Sequence, residues 1–399
     1  MAQRALPGFR DFYPEQFAER AFIMRTWREV VRRYAFVEYD GPPLEPLELY
    51  TKKSGEEIVG QLYNFVDKGE RAISLRPEMT PTVARMVGAR ANALRKPVRW
   101  FSIPQLFRYE RQQKGRLREH FQLNVDLIGE ADVTADAELL ACAIDIIRAF
   151  GLTENDVVAR VSDRRVLQAY LRGLGIADDA FATVFAVIDK IDRQPREISA
   201  EKLRVSLTEA QTERVLDIAQ TTLADVRSVV ADAEALRHVD DFERYLRYVR
   251  ALVPGGDAWV RVDLSIVRGL AYYTGIVFEL FDRTGEFRAI CGGGRYDNLL
   301  ASLGDADLPA LGFGMGDVVL GELLRSKGLL KADDGGVDVW VAPAHDDTPI
   351  ESIMEEVARR RATGASVEYA LRPQSYAKQV KAARALGARD IVVYPKNDG

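Results

Sequence analysis

Between Phe121 and Leu127 every second residue is apolar (Phe121, Leu123, Val125, Leu127), and the residues between them are Gln122, Asn124 and Asp126. A period of two specifies a β-strand whose successive side chains leave on opposite faces. One face of this strand can pack a core. The other sets three polar groups in a row, and wherever the sheet is covered they need hydrogen-bonding partners or a polar ligand. Two further stretches alternate: Val262, Leu264 and Ile266 around Asp263 and Ser265, and Ile276, Phe278 and Leu280 around Glu279. Strands so close in sequence imply a largely antiparallel sheet with flanking helices, an α+β rather than a doubly wound architecture.

Helical periodicity surrounds these strands. Phe17, Ala21, Met24, Val31 and Tyr34 fall on one face behind Pro14, so residues 14–36 read as an amphipathic helix. Residues 165–250 are helical in period, rich in charge and free of strand signals, which predicts a helical insertion. The turn-rich LLKADDGGV around 330–337 reads as a linker. Beyond it, 337–343, 366–371 and 390–395 read as strands separated by two helices. A core spanning 1–328 with the insertion inside it, and a small α/β unit at 335–399, are therefore expected. A length of 399 residues with 47% hydrophobic content suffices for a core in each.

The net charge of -5 gives no overall attraction to polyanions, so any nucleic-acid contact must come from local patches. Two cysteines (Cys142, Cys291) and three histidines (His120, His238, His345) are too few and too scattered for a zinc cluster or a disulfide framework. No signal-peptide core and no apolar run of about 18 residues is present. The expectation is a soluble, cytoplasmic protein without a membrane partner.

The densest chemistry lies in Phe107-Arg-Tyr-Glu-Arg-Gln-Gln-Lys-Gly-Arg-Leu-Arg-Glu-His-Phe-Gln122. Arg108, Arg111, Lys114, Arg116 and Arg118 outnumber Glu110 and Glu119, and the segment leads straight into the polar-faced strand. Planar, permanently charged arginines on such a hairpin suit a triphosphate or an RNA end; a solvated, salt-bridged hairpin is the plainer possibility. In Ser74-Leu-Arg-Pro-Glu-Met-Thr80, Glu78 and Thr80 could hold an ammonium group, or Thr80 could cap the helix that follows. Val267-Arg-Gly-Leu-Ala-Tyr-Tyr-Thr-Gly275 is followed by Cys291-Gly-Gly-Gly-Arg-Tyr-Asp297. The three glycines permit close backbone approach to a ligand or a tight bend, ahead of a helix start at 296–300. Gly312-Phe-Gly-Met-Gly316 lacks the spacing of a dinucleotide fingerprint and follows no good strand, which argues against a Rossmann fold.

Taken together these segments resemble the histidyl-tRNA synthetase family, within the class II aminoacyl-tRNA synthetases. The likeness runs from Leu6-Pro-Gly-Phe-Arg-Asp through Ser54-Gly-Glu-Glu, Leu75-Arg-Pro-Glu and Phe107-Arg-Tyr-Glu-Arg to Arg268-Gly-Leu-Ala-Tyr-Tyr-Thr and Gly292-Gly-Gly-Arg-Tyr-Asp297. The resemblance implies a class II antiparallel core, a C-terminal anticodon-binding-like domain, and activation of histidine by ATP and Mg2+ before transfer to tRNA(His). It implies a homodimer with Pro42 at the subunit contact. It assigns Arg108 and Glu110 to ATP, and Glu78, Thr80 and Gln122 to the histidine α-amino group. Asp126, Tyr272 and Tyr273 fall to the rest of the histidine, with Tyr273 against the imidazole. Arg268 is assigned to the charge on the α-phosphate. No protein-held metal is implied, since Mg2+ bridges the phosphates.

Three departures stand out. The strand position facing the imidazole carries Asp126 where a glutamate is usual, and Ala271 replaces an acidic residue. Val318 and Val319 stand where the family's third motif carries a glutamate and an arginine that grips the γ-phosphate. Arg116 or Arg295 is expected to supply that grip. The tail is expected to be a shortened anticodon-binding domain. These departures keep one competing expectation open, a histidine-sensing regulatory subunit of ATP phosphoribosyltransferase that does not charge tRNA.

Overall fold

The structure is a computed structural model that describes residues 5–51, 60–109, 117–267, 273–303, 306–331 and 336–395. The chain divides into two compact units, Met1–Arg10 with Ile23–Leu329, and Asp11–Phe22 with Leu330–Gly399. The division falls inside the helix Pro14–Arg33, a feature that periodicity does not signal.

The strands of the first unit are β1 (Val37–Glu38), β2 (Leu44–Pro46), β3 (Asn64–Val66), β4 (Ala72–Leu75), β5 (Val98–Ser102), β6 (Gln105–Phe107), β7 (Glu119–Ile128), β8 (Val157–Asp163), β9 (Val260–Val262), β10 (Ile276–Asp282), β11 (Cys291–Arg295) and β12 (Ala310–Gly316). The main sheet runs β1-β5-β7-β12-β11-β10-β8-β9, with β6 paired to β7. Among the described residues of this sheet only β1 with β5 and β8 with β9 pair in parallel; the remaining pairs are antiparallel, as expected of an α+β core. A separate small sheet has the order β2-β4-β3.

One face of the main sheet is sealed by apolar helices. In Val133–Ala149, whose N-cap Asp132 accepts the Thr134 N–H, nearly every residue from Leu139 to Ile147 is buried against β11, β12 and the helix Ala233–Leu252. The first helix buries Ile23, Trp27, Val30 and Val31; of the face drawn through Phe17, Val31 is buried, Ala21, Met24 and Tyr34 are partly buried, and Phe17 is half exposed. Ile23, Trp27, Val30 and Val31 stand at i, i+4, i+7 and i+8, the more apolar stripe. Residues 164–252 are a succession of helices, as their periodicity predicts. The alternation at 262–266 does not make a strand beyond Val262. Asp263 is fully buried and accepts the Ser265 N–H and hydroxyl, so its carboxylate closes a turn instead.

In the second unit, β13 (Val339–Pro343) lies between β14 (Val367–Tyr369) and β15 (Asp390–Tyr394), all parallel. Val339 and Val341 pack with Ile353 and Val357 of the helix Ile350–Ala362. Trp340 and Ala342 pack with Ala383 of the helix Tyr376–Ala385. A strand covered on both faces accounts for the continuous apolar run Val339–Ala342.

Candidate active site

The alternation in β7 places its residues as the sequence reading requires. Leu123, Val125 and Leu127 are buried on the core side, and Gln122, Asn124 and Asp126 project into a small polar cavity on the other. The antiparallel neighbour β12 makes room for them. Gly312 stands opposite Asp126, Gly314 opposite Asn124 and Gly316 opposite Gln122. A methyl group on Gly312 would sit 2.5 Å from Asp126 Oδ1, and one on Gly314 would sit 2.8 Å from Gln122 Cδ. One strand further, Gly292 and Gly294 of β11 pair with Gly314 and Gly312. Four glycines therefore bare a patch of sheet beside the polar row. The segments Cys291–Arg295 and Ala310–Gly316 are neither a bend nor a nucleotide-binding turn but interior strands whose missing side chains are the cavity floor.

Around this floor stand Glu78, Thr80, Arg108, Tyr273 and Tyr296. Thr80 opens the helix Thr80–Gly88, but the N-cap is Met79 and no side chain caps it, so the capping alternative for Thr80 is not realised. Asp126 is 4% exposed; its Oδ1 accepts the Tyr296 hydroxyl while Oδ2 has no partner among the described residues. Burial pushes its carboxyl up to about 7, with the Tyr296 hydrogen bond opposing. A buried carboxylate oxygen left without a donor points to a ligand that brings one. The sequence signal for Tyr296 is its place directly after Gly-Gly-Gly-Arg, which the helix expectation obscures; the helix begins only at Leu299.

A wide cleft of about 770 Å3 adjoins this cavity and shares Arg108, Gln122, Gly292 and Gly314 with it. Arg108 is held by a bond from its Nε to the Pro77 carbonyl, 3.0 Å away, and so stands at the junction. His120 faces the cleft from β7; burial, with Arg108 and Arg10 nearby, pushes its pKa down to about 3, so it is neutral at pH 7. Asp317, at the start of the helix Asp317–Ser326, accepts the Phe121 N–H (2.9 Å) and an Arg10 N–H (2.9 Å), and Arg10 also donates to Glu119 (2.7 Å). The Leu6–Arg10 stretch thereby braces the polar strand, with Phe9 against Tyr63 and Phe107. Val318 and Val319 line the cleft and bring no charge.

The expectation for Arg295 needs correction. Its side chain is 3% exposed and lies away from the cleft. Its Nε donates to Asp136 (3.1 and 3.2 Å) and its Nη1 to the Glu130 carbonyl (3.0 Å) and Asp297 (3.2 Å). A guanidinium held by two carboxylates in the core is a structural tie and has no hand left for a phosphate. Glu110, Arg116, Arg268 and Tyr272 lie outside the described residues. Among the described residues no three or more His, Cys, Asp or Glu side chains group as a metal site, and Glu279 lines the cleft. That donor set fits Mg2+ carried in on phosphates, which commonly takes only one or two protein carboxylates.

Comparisons with known proteins agree with this architecture. The family described as histidyl-tRNA synthetase matches residues 8–316. A histidine--tRNA ligase of Opitutus terrae is 44% identical over 98% of this chain and 90% of its own length. The chloroplastic/mitochondrial histidine--tRNA ligase of Arabidopsis thaliana is 40% identical over 98% of this chain and 80% of its own. Among solved structures, histidyl-tRNA synthetase from Nostoc sp. PCC 7120 superposes with a TM-score of 0.82 at 24% identity, covering 98% of this chain and 90% of that one, a likeness of fold. On the match over residues 8–316 and the full-length identity to curated ligases, the chain belongs to the histidyl-tRNA synthetase family.

Proposed function

We propose that the chain activates histidine with ATP and transfers it to the 3' end of tRNA(His). The observation that carries this reading is the pair of cavities meeting at Arg108 and Gln122, one polar and small, the other wide and rich in arginine. The small cavity takes histidine: Glu78, Thr80 and Gln122 around the ammonium group, and Asp126 with Tyr273 and Tyr296 around the imidazole. The Asp126 oxygen that has no partner among the described residues receives an imidazole N–H. The cleft takes ATP, with the α-phosphate at the junction. The histidine carboxylate attacks the α-phosphorus, the bond to the β-phosphate bridging oxygen breaks, and pyrophosphate leaves with the electron pair. Arg108 stabilises the charge on the non-bridging oxygens, and by family resemblance Arg268 joins it while Glu110 faces the adenine amino group, so that positioning and electrostatics supply the rate; Arg116 is the candidate for the γ-phosphate. When bound, Mg2+ neutralises phosphate charge.

In the second step a ribose hydroxyl at the tRNA 3' end attacks the acyl carbon and AMP departs. Lys378, Lys381 and Arg384 are exposed along the helix Tyr376–Ala385 and suit RNA phosphates. The two-domain assignment, a core to 328 and an anticodon-binding-like unit from 335, belongs to this reading. So does a homodimer. The small sheet beside Pro42 leaves Leu44 and Phe65, on one face, 40% and 50% exposed, an apolar pair that suits a twofold contact. The two cysteines, both buried and neither in a disulfide, suit a cytoplasmic, reducing setting. Among the described residues no helix is long and apolar enough to cross a membrane.

Histidine-dependent ATP–pyrophosphate exchange, followed by charging of tRNA, tests the reading. Exchange with histidine alone among the amino acids and charging of tRNA(His) are expected. Histidine binding with neither activity would replace the ligase by the regulatory subunit.

A further inference from the structure

We infer that Arg164 is a positioning residue through which the helical insertion sets the place of Tyr273 in the histidine cavity. The inference rests on the reading of the small polar cavity as the histidine site.

Tyr273 belongs to the connection between β9 and β10, and Arg164 holds that connection on both sides of it. Arg164 opens the helix Arg164–Gly173, where a main-chain N–H has no acceptor inside the helix. That N–H donates to the Gly275 carbonyl at 3.1 Å, and Nη1 of the same residue donates to the Val267 carbonyl at 3.3 Å. One residue thereby joins the two stems of the stretch 267–275. Tyr273 stands between the stems, packs in one core cluster with Ile266 and Tyr296, and lines the small cavity. Arg268 and Tyr272 fall in the same stretch, outside the described residues. The Arg164 backbone is itself fixed by its N-cap, since buried Asp163 accepts the Arg165 N–H at 2.8 Å and an Arg165 guanidinium N–H at 2.6 Å.

The other side of the Arg164 guanidinium belongs to the insertion. It lies over the ring of Phe185, 5.2 Å from the centroid, on the helix Phe181–Ile188, whose Phe181, Val184, Val187 and Ile188 are buried. A second arginine makes a parallel bridge. Arg160 of β8 donates from Nε to Asp263 (2.7 Å) and from Nη2 to Ser265 Oγ (3.2 Å), and the same Nη2 donates to Asp192 (2.9 Å) in the loop after that helix. Asp263, Ser265 and Val267 are thus each held by an arginine that also meets the insertion, while Leu264 and Ile266 between them are buried. The chain enters 267–275 at a place that the insertion helps to fix. A guanidinium suits this task because its plane covers a ring while its in-plane N–H groups reach a carbonyl.

The test uses the full chain with Arg164→Ala, Arg164→Lys, Phe185→Leu and the double variant Arg164→Ala/Phe185→Leu. Histidine affinity is measured by calorimetry, and histidine-dependent ATP–pyrophosphate exchange is expressed per histidine-binding site, so that loss of folded protein does not count as loss of rate. Arg164→Ala is expected to lower kcat about 10- to 100-fold, the scale of a misplacement near 1 Å, and to weaken histidine binding about tenfold. The Michaelis constant for ATP should move less than about threefold. Arg164→Lys should recover part of the loss. Phe185→Leu should lower kcat about two- to fivefold, the worth of the cation–ring contact, and should add less than about 1.5-fold once Arg164 is gone. A kcat per site and a histidine affinity unchanged in Arg164→Ala, whatever its melting temperature, would overturn the inference. So would a Phe185→Leu effect equally large with and without Arg164. Should Arg164→Ala not fold, Phe185→Leu decides, and unaltered exchange and histidine affinity in that variant would overturn the inference. A wild-type chain that binds histidine without exchange would remove the ligase reading, not the inference, which the histidine affinities of the same variants still decide.

Discussion

Replacing Asp126 with asparagine should weaken histidine binding and strengthen the empty fold at the same time. The side chain is 4% exposed, one oxygen accepts the Tyr296 hydroxyl, and the other has no partner among the described residues. Burial raises the carboxyl to about 7 from the ordinary 3.8, which corresponds to a cost on the order of 4 kcal/mol for holding the ionised form in the empty site. The sign follows from proton binding. Between about pH 4 and 7 the native state retains a proton that the unfolded chain releases, so this group's contribution to stability is complete below the unfolded pKa. It is lost as pH rises through the folded one. Asparagine abolishes that slope, keeps an oxygen for Tyr296, and leaves an amide N–H where the orphan oxygen was, at about 1–3 kcal/mol. The net expectation is a gain of about 1–3 kcal/mol over wild type at pH 8 that vanishes near pH 5, read from thermal or urea unfolding without ligand. In exchange assays the Michaelis constant for histidine should rise about 10- to 100-fold, the worth of one hydrogen bond to a charged group. The constant for ATP should move by less than about threefold. An unchanged histidine requirement, or equal rises for histidine and ATP, would refute the assignment of Asp126 to the imidazole. A stability difference that ignored pH would refute the account of its burial.

Two further perturbations separate tie residues from ligand residues. Arg295→Lys keeps the charge but not the fork that reaches Asp136, Asp297 and the Glu130 carbonyl, so unfolding should become about 1–3 kcal/mol easier while the ATP constant of the folded enzyme stays within about threefold; a selective tenfold rise for ATP would restore Arg295 to the phosphate site. Arg10→Ala strands Glu119 and Asp317, whose side chains are 1% and 4% exposed, and should cost about 3–5 kcal/mol at pH 8. Because protonation neutralises stranded carboxylates and burial already raises the Asp317 carboxyl, the penalty should shrink toward pH 5, and a penalty that grew on acidification would contradict the buried-pair account.

The parts of the site legible in the sequence are those written within one segment. The two-residue period of Phe121–Leu127 fixes both the strand and its polar face, because a strand's alternation is local. The charge of Arg108 and the cluster Glu78 to Thr80 are likewise visible where they stand. What the periodicity misses depends on which segments become neighbours. Asp263 falls in an apolar alternation but ends its strand, since its carboxylate turns back onto Ser265 and Arg160. Arg295 looks like a second phosphate arginine until the helix Val133–Ala149 brings Asp136 against it.

The glycines carry the same lesson furthest. Gly312, Gly314 and Gly316 read alone suggest a turn or a poor fingerprint, and Gly292 to Gly294 suggest a bend, because glycine in isolation speaks of backbone freedom. Their meaning comes from register. Gly312 and Gly314 face Asp126 and Asn124 on one side and Gly294 and Gly292 on the other. Each missing side chain is thus space beside a polar one, and a single-residue slip of β12 would set Leu311 and Phe313 against Asp126 and Asn124 instead. The cavity is therefore held open by the pairing of three strands drawn from 119–128, 291–295 and 310–316. The apolar partners Leu123, Val125, Phe313 and Met315, which lock that pairing from the buried side, are as necessary to the open cavity as the polar residues that line it.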